Sequence, residues 1–119
     1  MNNASLSAQL RRGVLGPSIL ALLSRGPRFG LELVREFELT GGLISSQGTI
    51  YPLLARLEES RFVRSYWEIA ANGRPRRYYT LTELGQRELA DFRVEWSRFS
   101  ILVEEVLTEE KPKSSRRKK

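Results

Sequence analysis

The side chains with the most chemistry to offer sit in "SSQGTIYPLLARLEES", residues 45–60. Ser46, Gln47, Gly48 and Thr49 open what is otherwise an apolar helix, and Tyr51 and Pro52 follow at once. Behind them Ile50, Leu53, Leu54 and Leu57 recur at helical spacing, so one side of the helix is expected to be buried. The other side carries hydroxyl, amide and phenol groups, which suit hydrogen bonding to another molecule better than packing. Gly48 lets a partner approach the backbone, and Arg56 lies farther along the exposed side, within reach of a phosphate. A second group, "GRPRR" at 73–77, places Arg74, Arg76 and Arg77 at a turn stiffened by Pro75. Guanidinium groups so placed suit phosphates or a narrow minor groove.

Other chemistries are poorly supplied. The chain has no cysteine and no histidine, which removes disulfides, thiolate zinc sites and the commonest general base. No nucleophile–base constellation stands in for them, so no catalytic residue, metal ligand or cofactor is expected. The net charge of +6 is unevenly spread: residues 1–44 carry +2, 45–77 carry +3, 78–110 carry −5 and 111–119 carry +6. The folded part is therefore nearly neutral, with a basic middle, an acidic C-terminal segment and a basic tail, KPKSSRRKK. No apolar run approaches the ~20 residues of a membrane span. With no signal-like N-terminus, a cytoplasmic, nucleoid-associated location is expected.

The elements that must position these groups can be read along the chain. "VLGPSILALLSRGP" (14–27) reads as a helix with Pro17 at its first position and Leu15, Ile19, Leu22 and Leu23 inward. "GLELVREFEL" (30–39) reads as a second, with Leu31, Val34 and Phe37 inward and Gly41-Gly42 ending it. Ser45 or Ser46 caps the third, which runs to about Ser60. Val63, Trp67 and Ile69 alternate with Arg64, Tyr66 and Glu68 as in a strand; Asn72-Gly73 marks a hairpin, and Arg76–Leu81 returns. Of Tyr78 and Tyr79, one must face the core. Thr82 caps a long helix with Glu83 in its first turn.

Three helices, a hairpin and a long helix make a mainly α (α+β) fold, a winged helix-turn-helix followed by a long C-terminal helix. The expected division is a flexible N-terminus over 1–12, a DNA-binding domain over 13–82, a dimerisation helix over 83–108 and a disordered basic tail over 109–119. In such a unit the third helix presents its N-terminal residues to the major groove. Leu89, Phe92, Trp96, Phe99, Val103 and Val106 follow one another at alternating steps of three and four, the a/d seam of a coiled coil. A single helix cannot satisfy that seam, and a second copy of the chain is the expected partner.

"GTIYPLLARLEES", the Trp67-Glu68 strand and "GRPRRYYTLTELGQREL", in this order and spacing, closely resemble the PadR family of bacterial transcriptional regulators. The likeness begins around Leu15 and runs to about residue 107. It implies a homodimeric repressor that binds a double-stranded, pseudo-palindromic DNA operator, with the last helix supplying most of the dimer contact. DNA contact then falls on Ser46, Gln47, Thr49, Tyr51 and Pro52 and on the wing arginines. Multidrug-sensing members hold flat aromatic ligands at the dimer interface, which points to Phe92, Trp96 and Phe99 as an effector site. Glu88, Asp91 and Glu95 nearby favour a small aromatic or cationic effector; equally, the three rings can fill the interface themselves. Two positions depart from the family pattern: Leu31 replaces an aromatic residue, and Arg61 stands where Gly usually follows the third helix. The competing reading is a winged-helix adaptor that binds protein, with a non-specific basic tail.

Overall fold

A computed structural model of the chain describes residues 3–44 and 46–108. Ser45 and the basic tail from residue 109 onward, both subjects of expectations above, lie outside the described residues. The element order is α1 (Asn3–Arg11), α2 (Leu15–Leu23), β1 (Arg28–Phe29), α3 (Gly30–Leu39), α4 (Gln47–Glu59), β2 (Val63–Ile69), β3 (Pro75–Leu81) and α5 (Glu83–Leu107). Helices α2 to α4 followed by the β2–β3 hairpin form a winged helix-turn-helix, and α5 runs out from it. None of the helices among the described residues is long and apolar enough to cross a membrane.

Three differences from the sequence reading concern the helices. Residues 3–11 were expected to be part of a flexible end, but they are helical; Ala, Leu, Gln and Arg are all strong helix formers, and polarity alone was a poor guide. Pro17 occupies the third position of α2 rather than the first. No N–H in the first turn has a helical acceptor, so proline costs as little there. In α3 the inward set is Leu33, Val34 and Phe37, not Leu31, and in α2 Leu20 joins Ile19, Leu22 and Leu23. Ile44, Ile50, Leu54, Val63, Tyr79 and Leu89 complete one continuous core.

The sheet has the order β1-β3-β2, antiparallel throughout. Strand β1 pairs Arg28 with Tyr79 and Phe29 with Tyr78, fastening the start of α3 to the base of the wing. In the hairpin Gly73 donates its N–H to the Ala70 carbonyl, Ala70 donates to the Arg74 carbonyl, and the Asn72 side chain accepts from Arg74 N–H. Only Gly73 takes a positive φ, +86°; Asn72 does not, so the connection is a three-residue loop with a glycine bulge rather than a two-residue turn. Trp67 and Ile69, which alternation puts on the same face as Val63, are exposed because the hairpin projects beyond the core after Ser65.

Where α4 meets β2, Arg61 does take the left-handed conformation, with φ +68°. Its N–H bonds the Glu58 carbonyl and that of Phe62 bonds the Leu57 carbonyl, the pairing of a Schellman cap. Thr82, the cap of α5, accepts from Gly85 N–H at 2.9 Å. Its hydroxyl lies 2.7 Å from the Arg61 carbonyl oxygen and 3.0 Å from that of Phe62, and donates to one of them. The end of α4 and the start of α5 are therefore locked together. A Cβ on Gly85 would sit 2.1 Å from the Phe62 carbonyl oxygen, so only glycine permits this approach.

Candidate nucleic-acid interface

The front of α4 is built to stay open. Ser46 caps it, with Oγ accepting from Thr49 N–H at 3.3 Å and lying 3.2 Å from the Thr49 hydroxyl. Helices α3 and α5 carry an acid in the first turn, Glu32 and Glu83, whereas α4 carries none. The positive end of its dipole is left uncompensated, and the first-turn N–H groups face an exposed surface that favours an anion. Ser46, Gln47, Gly48, Thr49, Tyr51, Pro52 and Arg56 are all exposed, while Ile50 and Leu54 behind them are buried. Pro52 has no N–H to give to the Gly48 carbonyl, so the usual helical bond to that acceptor is missing.

Tyr51 is held by a close approach. A Cβ on Gly30 would lie 2.5 Å from both Cε1 and the hydroxyl oxygen of Tyr51, so the ring rests directly on the glycine backbone. Tyr51 nonetheless remains 44% exposed. The first residue of α3 thus sets where the Tyr51 hydroxyl points. Phe29, just before it, donates its N–H to Glu32 at 3.1 Å, and Arg28 pairs with Glu36, so the platform itself is fixed.

Between α4 and the wing lies an open cleft of about 490 Å³, lined by Gln47 and Tyr51 from α4, Phe29, Gly30 and Leu31, and Trp67, Arg74, Pro75, Arg76, Arg77 and Tyr79 from the wing. The sequence grouped the three wing arginines at one tip, but the structure separates them. Arg74 is in the loop, and its guanidinium has no ion-pair partner among the described residues. Arg76 lies over the Phe29 ring at 4.3 Å. Arg77 bonds Glu58 at 3.3 Å and donates to Ser65 Oγ at 3.0 Å, and Ser65 donates to Glu58 at 2.7 Å. Neighbours on a strand point to opposite faces, so Arg76 and Arg77 cannot act as a pair. Burial pushes the Tyr79 phenol above its ordinary value, against the opposing pull of the Arg77 guanidinium.

Sequence reasoning missed Phe29, Gly30, Leu31 and Trp67 as walls of this cleft. Trp67 shares a face with Val63 by alternation, but it stands beyond the core, opposite Arg77 in the register, and is 67% exposed. Arg56 does not reach the cleft; it lines a separate one with Arg11 and Arg12.

On α5, Leu89 is buried against its own domain and Phe92 is half-buried. Beyond them Trp96 (48% exposed), Phe99 (59%), Val103 and Val106 (83%) lie open. Phe92 and Trp96 stack at 6.1 Å. Together with Phe99 and Glu95 they form one wall of a shallow cleft of about 260 Å³, whose other wall is Arg12, Gly13 and Val14. This cleft is formed within one chain. Glu88 and Asp91 are exposed and do not line it.

Comparison with known proteins agrees with this geometry. The model of the transcriptional regulator PadR-like family matches residues 19–91. A PadR family transcriptional regulator from Eggerthella lenta is 33% identical, superposes with a TM-score of 0.79 and covers 90% of this chain and 93% of its own. A PadR-like transcriptional regulator from Bacillus cereus is 31% identical, with a TM-score of 0.76 and coverage of 86% and 99%. A protein of Lysinibacillus sphaericus whose name states no function is 27% identical over 95 residues, 78% of this chain and 87% of that protein.

Proposed function

The chain belongs to the PadR-like family of transcriptional regulators, which are not enzymes, and we propose that it acts as a homodimeric repressor at a pseudo-palindromic operator. One observation carries the DNA-contact assignment. The uncompensated N-terminus of α4 puts Gln47 and Tyr51 into an open cleft shared with the wing arginines and leaves Ser46 and Thr49 exposed beside it. Gln47 can read base edges in the major groove through paired donor and acceptor groups. Ser46, Thr49 and Tyr51 can hold phosphates, and Arg74 can reach the flanking backbone or the minor groove. Arg77, already bonded to Glu58, is better placed to set the angle of the wing than to leave it.

The open seam on α5 supports the dimer. Four large apolar side chains at a/d spacing stay 38–83% exposed, and each forgoes part of the about 1.5–3 kcal/mol that full burial supplies. Two-fold pairing along α5 would set two α4 helices on successive turns of one DNA face, about 34 Å apart. Phe99→Glu should leave the winged domain folded and yield a monomer by sedimentation; a dimer of unchanged affinity would remove the seam from the account.

Repression follows if the operator overlaps a promoter. The Phe92–Trp96–Phe99 cleft offers stacking surfaces and a neighbouring carboxylate, Glu95, for a planar cationic effector. Such a ligand releases DNA only if it binds the DNA-free arrangement of the two α5 helices more tightly than the DNA-bound one. Selection from a random duplex library tests the main reading. The expected product is an inverted repeat with half-sites about one turn apart; recovery of no common sequence would contradict it.

A further inference from the structure

On the flank of α4 away from the wing lies a second open cleft, of about 440 Å³. By helical geometry Arg56 sits roughly 140° around α4 from Tyr51, so the two clefts lie on opposite sides of the recognition helix. Arg56 lines this cleft with Arg11 at the end of α1 and Arg12 in the turn after it, and there is no carboxylate among its lining residues. None of the three arginines has an ion-pair partner among the described residues. Arg11 donates to Ser7, yet its Nε is buried without any hydrogen-bond partner. The start of α2 opens onto the same cleft, and its cap residue, Val14, has no side-chain acceptor to offer. Three guanidinium groups and an uncapped helix N-terminus line one concavity that no carboxylate lines; Arg12 stands at its edge and also borders the cleft that Glu95 lines on α5.

We infer that this cleft seats a backbone phosphate of the DNA strand across the major groove from the wing. The inference rests on the DNA-binding reading above and extends it to α1, which lies outside the matched family region. A recognition helix in the groove has a sugar–phosphate strand on either side. The wing accounts for one strand, and Arg11, Arg12 and Arg56 lie where the other must pass. Guanidinium groups bind phosphate through paired N–H donors, and a helix N-terminus adds to the same field. Such a contact carries no sequence information, so it should strengthen binding to every duplex alike.

Arg12 is exposed and can be changed without disturbing the core; because it also borders the Phe92–Trp96–Phe99 cleft, sedimentation must show the variant to be as dimeric as the wild type. In the intact dimer, Arg12→Ala removes one phosphate contact per protomer. The plot of log affinity against log salt should then lose about 2 from its slope, since each neutralised phosphate accounts for about 0.9. Operator and scrambled duplex should weaken by the same factor, and Arg12→Lys should restore most of the slope. Ethylation of a single phosphate outside each half-site, on the strand away from the wing, should impair the wild type and cease to matter in Arg12→Ala. An unchanged slope in Arg12→Ala, with Arg74→Ala still weakening binding, would overturn this contact and leave the DNA-binding reading intact. Loss confined to the operator would also overturn it, because that would make Arg12 a base reader. A wild type that binds neither duplex would overturn both.

Discussion

Gly30→Ala isolates the placement of Tyr51. The backbone of Gly30 has no positive φ, so alanine is conformationally acceptable and the only obstacle is space. The new methyl would stand 2.5 Å from the Tyr51 ring and hydroxyl, where ordinary contact begins near 3.4 Å. The ring must therefore move by about 1 Å. Tyr51 is 44% exposed and has solvent to move into, so the fold should survive. Alanine in place of glycine in a helix also gains up to about 1 kcal/mol, which offsets some of the repacking. A hydrogen bond from the Tyr51 hydroxyl to DNA is worth about 1–1.5 kcal/mol, and two copies act in a dimer. The expected result is a melting temperature within a few degrees of wild type and operator affinity lower by roughly 30- to 150-fold. Fluorescence anisotropy with labelled duplex, alongside thermal melts, measures both. Tyr51→Phe, which keeps the ring on Gly30, should show a similar loss, and the two changes combined should lose little more. Normal affinity in a stable Gly30→Ala protein would refute the reasoning, because Tyr51 would then not need its seat.

Three further outcomes follow from the same geometry. Arg61→Gly should stabilise the protein by about 0.5–1 kcal/mol in urea melts: left-handed backbone costs a non-glycine residue about 1–2 kcal/mol, and added glycine freedom in the unfolded chain returns about half. Arg61→Ala should show no such gain. Gly85→Ala should cost about 3 kcal/mol or more by the same assay, because its methyl meets the Phe62 backbone rather than a movable side chain. The Tyr79 phenol is raised by burial, so the neutral form belongs to the folded state. Stability should be insensitive to this group below pH 10 and fall as pH rises above it, an alkaline loss that Tyr79→Phe should lessen.

What was legible in the sequence was whatever local chemistry decides. Ser46 and Thr82 act as caps because a hydroxyl before an apolar periodic run has free N–H groups to accept from. The apolar stripe of α5 was legible because its repeat continues beyond the reach of its own domain, where the structure leaves it exposed. Arg61 was legible as a residue in glycine's place. Other features depended on three-dimensional neighbours. Strand β1 is two residues long and exists only because β3 lies beside it. Leu31 and Leu33 both fit helical spacing with Val34 and Phe37, and only the packing of α3 separates them. Trp67 could not be recognised as part of a cleft until the point where the hairpin leaves the core was known. Arg76 and Arg77 are a different case: alternation along a strand already required them to diverge, and grouping them by composition hid it.

The central claim is that the face of α4 beside the wing reads DNA sequence. Its most direct test is a competition titration of the full chain on the duplex from upstream of its own gene against a scrambled duplex of equal length, repeated with Gln47→Ala at several salt concentrations. The wild type should prefer the upstream duplex. Gln47→Ala should lose that preference while keeping the salt dependence, since phosphate contacts would remain. Equal binding of both duplexes by the wild type, or a preference untouched in Gln47→Ala, would contradict the claim.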